Sequence, residues 1–437
     1  MLTKEHSIND SLKQSLSGIN IYTACYYLVL LLFSLSWTNQ YQVQPPTMLR
    51  LGFTAAFFLP LFLNRNLAVP LITLFASIRL FSIAPYGYLP SDTTVYLAVL
   101  VALLIFDYIT YSGYQKFNVY LVLLLLVSLF SNLVNYVTEP LEYEFQKAAV
   151  VALLMLKLTH TTRELTILKS AFILVTVCLA VYGLLFAKEL QVVALDSNMK
   201  RMFWHDPNYL GSLMGIGMII AFYYLLYHRE TLPIKVILIF TIVAGFINLA
   251  YFASRGAFIS TVIPMLFLLF RKTHSFGQII AAIVIIAAII PLLGYFEIFD
   301  PLIVRFVEEE TITTGSYRTT VWVGSFKMFI NSGIGTLLMG GGSGFANILC
   351  GKALNLNLMS AHNNYLDILY NYGIIGLLLF LGLLGSWIKK YQHNPLSLAL
   401  VMSFMIACLT LAPLMFLPFW FLLVLIDKSS IHENQTV

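Results

Sequence analysis

I-I-A-A-I-V-I-I-A-A-I-I-P-L-L, Ile279–Leu293, carries no charge and no alternation of apolar with polar residues. Strands of an outer-membrane barrel alternate with period two, so this stretch is not one. Similar runs recur along the chain, each near the length that crosses about 30 Å of hydrocarbon as a helix. The sequence therefore predicts an all-α polytopic membrane protein. Spans are expected at 20–37, 49–63, 67–84, 94–112, 117–135, 146–158, 170–187, 208–227, 233–252, 256–271, 277–294, 363–387, 395–412 and 414–426. Some are short, so the expectation is about 12–14 transmembrane helices. They form a single transmembrane domain over 1–437 with no internal repeat.

Composition agrees. Of 437 residues, 59% are hydrophobic and 10% charged, with a mean hydropathy of +0.84. Soluble domains carry about a quarter charged residues. The net charge of +5 is not a nucleic-acid signal, because cations in such chains set topology. Cys25, Cys178 and Cys408 fall in expected spans and leave Cys350 alone in a loop, so no disulfide framework is expected. No small-residue cleavage site follows the polar lead Met1–Asn20, so no cleavable signal peptide is expected.

Orientation follows from Lys and Arg. With both termini cytoplasmic, Lys4, Lys13, Arg65, Lys116, Lys157, Arg163, Lys169, Arg229, Lys235, Arg271, Lys272, Lys389, Lys390 and Lys428 all fall inside. One connection, 295–361, is far longer than the others and falls on the outer face. Loops of that size are usually functional. Cations are scarce outside until Lys188; then come Lys200, Arg201, Arg255, Arg305, Arg318, Lys327 and Lys352. Loop solubility accounts for some of them. An anion site at the outer surface accounts for a cluster of them.

Three outer-face segments carry unusual polar groups. R-M-F-W-H-D-P-N-Y-L-G, Arg201–Gly211, starts a helix at Pro207. Asp206 and Asn208 suit capping there, whereas Arg201 and His205 have no such role. F-A-S-R-G-A-F places Arg255 in a tight hairpin. It either snorkels to lipid headgroups or, with Ser254 and Gly256 allowing close approach, binds phosphate. G-S-Y-R-T-T-V-W-V-G-S-F-K-M-F-I puts Tyr317, Arg318, Trp322, Phe326 and Phe329 on an amphipathic helix suited to the interface. The following G-I-G-T-L-L-M-G-G-G-S-G-F lacks the lysine and strand context of a phosphate loop and reads as a flexible turn or lid hinge.

S-A-H-N-N-Y-L-D-I-L-Y-N-Y-G-I-I-G, Ser360–Gly376, opens the span at 363–387. Asn363 or Asn364 caps it, and Asp367 suits the positive end of its dipole. His362 is left over. Only His205 and His362 face outward among eight histidines. A helix N-terminus favours neutral imidazole, the form that serves as a general base. Arginines stabilise a diphosphate as it leaves, and a histidine takes a proton from a hydroxyl. Together they fit transfer of a group from a lipid diphosphate to an alcohol. No D-x-D motif occurs and the outer histidines lack metal spacing, so no metal and no cofactor is expected. The expected catalytic set is His362, Arg255 and Arg318. The expected substrate-binding set is Arg201, His205, Asp206, Asn208, Tyr317, Trp322 and Asn363.

D-P-N-Y-L-G (206–211), S-R-G-A-F (254–258), Y-R-T-T-V-W (317–322), G-G-G-S-G-F (340–345) and H-N-N-Y-L-D-I-L-Y-N-Y-G-I-I-G (362–376) occur in this order over about half the chain. The ordered set resembles the O-antigen polymerase and ligase superfamily of bacterial envelope glycosyltransferases. The amino-terminal half matches only in hydropathy. The resemblance implies a GT-C-like enzyme of the bacterial inner membrane, acting on undecaprenyl-diphosphate-linked glycan and membrane lipid and inverting at the anomeric carbon. It implies diphosphate binding by Arg255 and Arg318, with Arg201 as a third cation, and a base at His362. Partners implied are a chain-length regulator and a flippase, with no nucleic acid. The tyrosine-rich form of the last motif looks more like a polymerase than a ligase. A lipid-linked glycan transporter is the rival from another class, and a structural membrane scaffold is a second non-enzyme reading, which would explain the spans but not the outer-face arginines. Transporters usually place charge near mid-membrane, where only Arg79 and Asp107 lie here.

Overall fold

The computed structural model describes residues 118–138, 143–158, 162–185, 191–193, 200–202, 207–272, 302–303 and 318–428. The expected spans at 20–37, 49–63, 67–84, 94–112 and 277–294 lie outside the described residues. The others are helices: α1 (Val119–Val134), α2 (Glu144–Leu158), α3 (Thr162–Leu185), α4 (Pro207–Tyr227), α5 (Leu232–Phe252) and α6 (Arg255–Lys272) come first. After the long connection come α10 (Asn364–Tyr391), α11 (Pro395–Thr410) and α12 (Leu417–Lys428). Among the described residues, Asn208–Tyr227, Leu232–Phe252 and Asn364–Tyr391 are long and apolar enough to cross a membrane, and Val119–Val134, Leu168–Val181 and Pro395–Thr410 are shorter apolar helices. This is a membrane protein built mainly of helices.

Local chemistry sets the ends. Asn118 Oδ1 accepts the Tyr120 N–H (3.1 Å) at the start of α1, and Asn394 Oδ1 accepts that of Ser397 (2.9 Å) at the start of α11. Pro233 sits in the first turn of α5, where its missing N–H costs nothing. Two boundaries differ from expectation. α3 begins at Thr162 rather than 170, because its first turns, T-R-E-L-T-I-L-K, are helical without being apolar. α10 runs on to Tyr391 through Lys389 and Lys390, charges that hydropathy reads as the end of a span.

One element departs from the all-α expectation. β1 (Gln191–Val193) and β2 (Lys200–Met202) pair antiparallel, with Val192 opposite Arg201, between α3 and α4. The connection at 295–361 contains the amphipathic helix expected near Tyr317–Phe329 and two further short helices. Its described part folds into α7 (Arg318–Ile330), α8 (Ile334–Met339) and α9 (Phe345–Ala353).

Among the described residues, packing separates two larger cores and a small cluster of Ala250 with Leu302. A large apolar cluster joins α1 to α6 with α10, α11 and α12, and includes Phe172, Phe252, Phe380, Trp387, Phe404 and Trp420. A smaller one joins Val321 and Phe329 of α7, Leu349 and Cys350 of α9, and Leu369 and Tyr370 of α10. The upper end of α10 therefore packs against a cap, α7–α9, through Leu369 and Tyr370 and against the bundle through Ile368 and Tyr372, and its lower part lies in the bundle.

Gly373 marks the change. Its φ of 72° and ψ of −171° break the helical path of α10. Such a break strips carbonyls in the preceding turn of their helical partners. The glycine-rich turn supplies replacements: Gly341 N–H donates to Tyr370 O and Gly342 N–H to Asn371 O, both at 3.0 Å. Ser131 Oγ of α1 also donates to Asn371 O (2.9 Å), and Ala346 N–H donates to Asn371 Oδ1 (2.8 Å). Ser343 N–H reaches Asn132 Oδ1 at 2.8 Å, and Gln146 of α2 donates to Ser343 Oγ at 3.2 Å. The turn expected to be a flexible hinge is thus laced to three helices. Gly340, Gly342 and Gly344 all have positive φ, which is the physical need for its glycines.

Candidate functional site

The two ends of the bundle differ chemically. At one end, Arg271 donates to Gln392 O (2.8 Å), Lys272 lies over Tyr227, Lys390 pairs with Asp427 (3.4 Å), and Tyr391 OH donates to Asp427 O. At the other lie the starts of α4, α6 and α10 and the finish of α11, and here most of the expected site residues gather.

Thr410, the last residue of α11, is the meeting point. Arg318, at the start of α7, donates from Nη1 to Thr410 O at 3.2 Å. Gly256 packs against the Thr410 side chain so closely that a Cβ there would lie 2.8 Å from Thr410 Cβ. That places Arg255, the first residue of α6, beside the same threonine. Arg255 and Arg318 are both half-buried. The Arg318 guanidinium and the backbone that carries Arg255 thus meet at one helix end; a pair of guanidinium groups there would suit an anion with several oxygens.

His362 is joined to them through Trp322. Trp322 follows Arg318 by one helical turn, so the two share a face of α7. Its Nε1–H donates to Ala361 O at 2.8 Å, fixing the residue before His362. His362 has φ 47°, a left-handed conformation that non-glycine residues rarely take, and its backbone N–H donates to Ser360 Oγ at 3.2 Å. Ala253, which ends α5 just before Arg255, is left-handed too, with φ 48°. Strained backbone of this kind is held only where surrounding structure over-determines it, and it concentrates at functional sites. His362 Nδ1 is buried.

Further bonds close the ring. Ser254 Oγ donates to Asn208 Oδ1 at 2.7 Å, tying the start of α4 to the α5–α6 turn. Tyr209 OH accepts the Ala412 N–H at 3.2 Å, and Asn364 Oδ1 accepts that of Leu414 at 3.3 Å. Asn363 is the cap of α10: its Oδ1 accepts from Tyr365 N (3.1 Å) and Leu366 N (3.2 Å). Asn208, by contrast, sits inside α4 and cross-links.

Arg255, Arg318, Trp322, His362, Asn208 and Asn363 therefore come together. Arg201 lies in β2, which packs near α5. His205, Asp206 and Tyr317 lie outside the described residues. Reading the sequence missed Thr410, Tyr209 and the short 3-10 turn Pro413–Met415. Their only signal was a threonine and a proline, T-L-A-P, at the break between two spans. Among the described residues, no three His, Cys, Asp or Glu side chains come together as a metal ion would need.

Asp367 stands apart from these networks. Its backbone N–H donates to Asn363 O (2.9 Å), but its carboxylate Oδ1 is buried with no hydrogen-bond partner. It lies near Cys350 of the cap. Burial pushes the Cys350 thiol up to about 11; a hydrogen bond with Ser325 opposes this and the Asp367 charge adds to it.

Residues 240–381 match the model of a family described as O-antigen ligase. The chain is similar there to that family. The matched stretch holds Arg255, Arg318, Trp322 and His362. The match supports a likeness to membrane enzymes of the O-antigen ligase and polymerase type, which act in glycan assembly. No curated protein matches the chain.

Proposed function

We propose that the protein is a glycosyltransferase that polymerises undecaprenyl-diphosphate-linked repeat units into O-antigen, capsule or exopolysaccharide. It works on the outer face of the bacterial inner membrane, both termini being cytoplasmic. The observation that supports this is that Thr410 takes the Arg318 guanidinium on its carbonyl and Gly256, the neighbour of Arg255, against its side chain, beside a loop that holds His362 in a strained conformation. In the reaction an acceptor sugar hydroxyl attacks the anomeric carbon of the donor glycan. The bond from that carbon to the diphosphate oxygen breaks, and undecaprenyl diphosphate leaves with the electron pair. Arg255 and Arg318 stabilise its growing charge. The hydroxyl proton passes to His362. Attack opposite the leaving group inverts the anomeric centre. No step needs a metal ion.

A GT-C-like bundle of about 12–14 transmembrane helices suits this chemistry, with the cap α7–α9 on the outer face and the cations of the other end inside. Trp322, Asn208 and Asn363 extend the site, and Arg201, His205, Asp206 and the aromatic Tyr317 are the further residues proposed to bind substrate. A flippase that delivers donor and a chain-length regulator are the expected partners. The ligase reading, transfer to lipid A-core, is favoured by the description of the matched family. The test is reconstitution: purified protein in vesicles, given extracted lipid-linked repeat units, makes polymer and releases undecaprenyl diphosphate with EDTA present. A protein that needs lipid A-core as acceptor is a ligase. One that only moves the lipid across the vesicle is a transporter.

A further inference from the structure

Asp367 is a buried acid that the fold does not explain. Four facts bear on it. Its Oδ1 is out of contact with solvent and has no hydrogen-bond donor on it. The N–H groups at the start of α10 that a carboxylate might cap are already taken by Asn363 Oδ1. Attraction to the helix dipole is weak beside the cost of desolvating a carboxylate. Finally, Asp367 lies near enough to both Cys350 of the cap and Cys408 of α11 for its charge to act on the two thiols.

The chemistry of a ligand for this carboxylate is narrow. A phosphate would be repelled by it. A divalent cation would need further acids, and from Arg318 to Leu366 the chain has no Asp or Glu, nor do three His, Cys, Asp or Glu side chains gather among the described residues. Neutral groups rich in O–H donors remain. Side chains of helical residues lean toward the helix N-terminus, here toward the His362 end.

We propose that Asp367 is a glycan-binding residue whose carboxylate accepts hydrogen bonds from sugar hydroxyls, so that the lipid-linked substrate lies with its diphosphate at Arg255 and Arg318 and its sugars at Asp367. This rests on the glycosyltransferase reading. It also gives a reason for the unpaired acid: a site built to hydrogen-bond a hydroxyl leaves its polar group unsatisfied when empty and rejects substrates that lack the donor.

The experiment uses full-length protein in vesicles with undecaprenyl-diphosphate-linked repeat units extracted from a strain lacking the protein. Asp367→Ala is expected to raise KM for the lipid-linked glycan about tenfold or more, with kcat within about threefold. Asp367→Asn keeps an acceptor oxygen and is expected to raise KM about threefold. Because the carboxylate lacks a native partner, Asp367→Asn should unfold at the same temperature as wild type or higher. An unchanged KM in both variants, or a lower unfolding temperature for Asp367→Asn, overturns the proposal. If Asp367→Ala does not fold, the Asn variant decides alone. Wild type that turns over normally while the variants keep its KM refutes only this assignment; wild type with no transfer refutes the function on which it rests.

Discussion

Gly373→Ala should disconnect the cap from the bundle, and the structure gives the size of the effect. With φ 72° and ψ −171°, Gly373 occupies backbone space that an L side chain rarely enters, at a cost of about 1–3 kcal/mol. A Cβ there would fall onto the Leu338 carbonyl and lie 2.5 Å from Met339 N. These are backbone atoms, so α8 must shift rather than a side chain rotate. The shift strains the bonds from Gly341 N to Tyr370 O and from Gly342 N to Asn371 O, each worth about 1 kcal/mol. The total is about 3 kcal/mol or more. Gly385→Ala, in the same helix, is the matched control. Gly385 is exposed, nothing lies within 4 Å of its would-be Cβ, and helix propensity favours alanine there by about 1 kcal/mol. Thermal unfolding of the two variants in the same detergent is expected to differ by roughly 5 °C or more, with Gly373→Ala below wild type and Gly385→Ala at or above it. Equal unfolding temperatures would refute the view that the glycine-rich turn and the break in α10 are one locked unit.

Other outcomes test the site piece by piece. Trp322→Phe keeps the ring but deletes the 2.8 Å bond to Ala361 O; it should cost about 1 kcal/mol and slow glycan transfer several-fold, read from initial rates. Ser254→Ala removes the 2.7 Å bond to Asn208 and should lower stability by about 1–2 kcal/mol, measured by unfolding of the purified protein. Cys350, with its thiol pushed up to about 11, should resist iodoacetamide in the folded protein at pH 8. Because the thiol pKa is raised, reactivity should climb about tenfold per pH unit up to about pH 11, followed by mass spectrometry; rapid labelling at pH 8 would contradict its burial.

How much could be read beforehand depended on what each residue's role required. The spans at 208–227, 233–252 and 256–271 lie within one residue of α4, α5 and α6, because apolar length and the punctuation by Pro207, Pro233 and Ser254 act locally. Asn363 as the cap was legible for the same reason. Of the cap, the helix α7 was legible in the amphipathic spacing of Arg318, Trp322, Phe326 and Phe329, but α8, α9 and the way the three pack were not. The core of the cap uses few residues per helix and borrows Leu369 and Tyr370 from α10, a contact between segments that no periodicity reveals. The glycine turn was misread as flexible because its hydrogen bonds go to carbonyls exposed by a break at Gly373, far along the chain. Arg255, Arg318 and His362 stood out as polar groups in apolar surroundings. Thr410, which holds Arg318 and packs on Gly256 next to Arg255, did not, since it serves through its backbone carbonyl and the space beside its side chain.

The most direct test of the glycosyltransferase account is the surface-glycan profile, on gels, of a deletion strain carrying wild type, His362→Ala, Arg255→Ala or Arg318→Ala at matched expression. The account predicts that each variant loses polymer and leaves a single repeat unit on the acceptor. Long chains retained on undecaprenyl diphosphate would instead identify a ligase. Normal polymer from the His362→Ala strain would contradict the account at its centre.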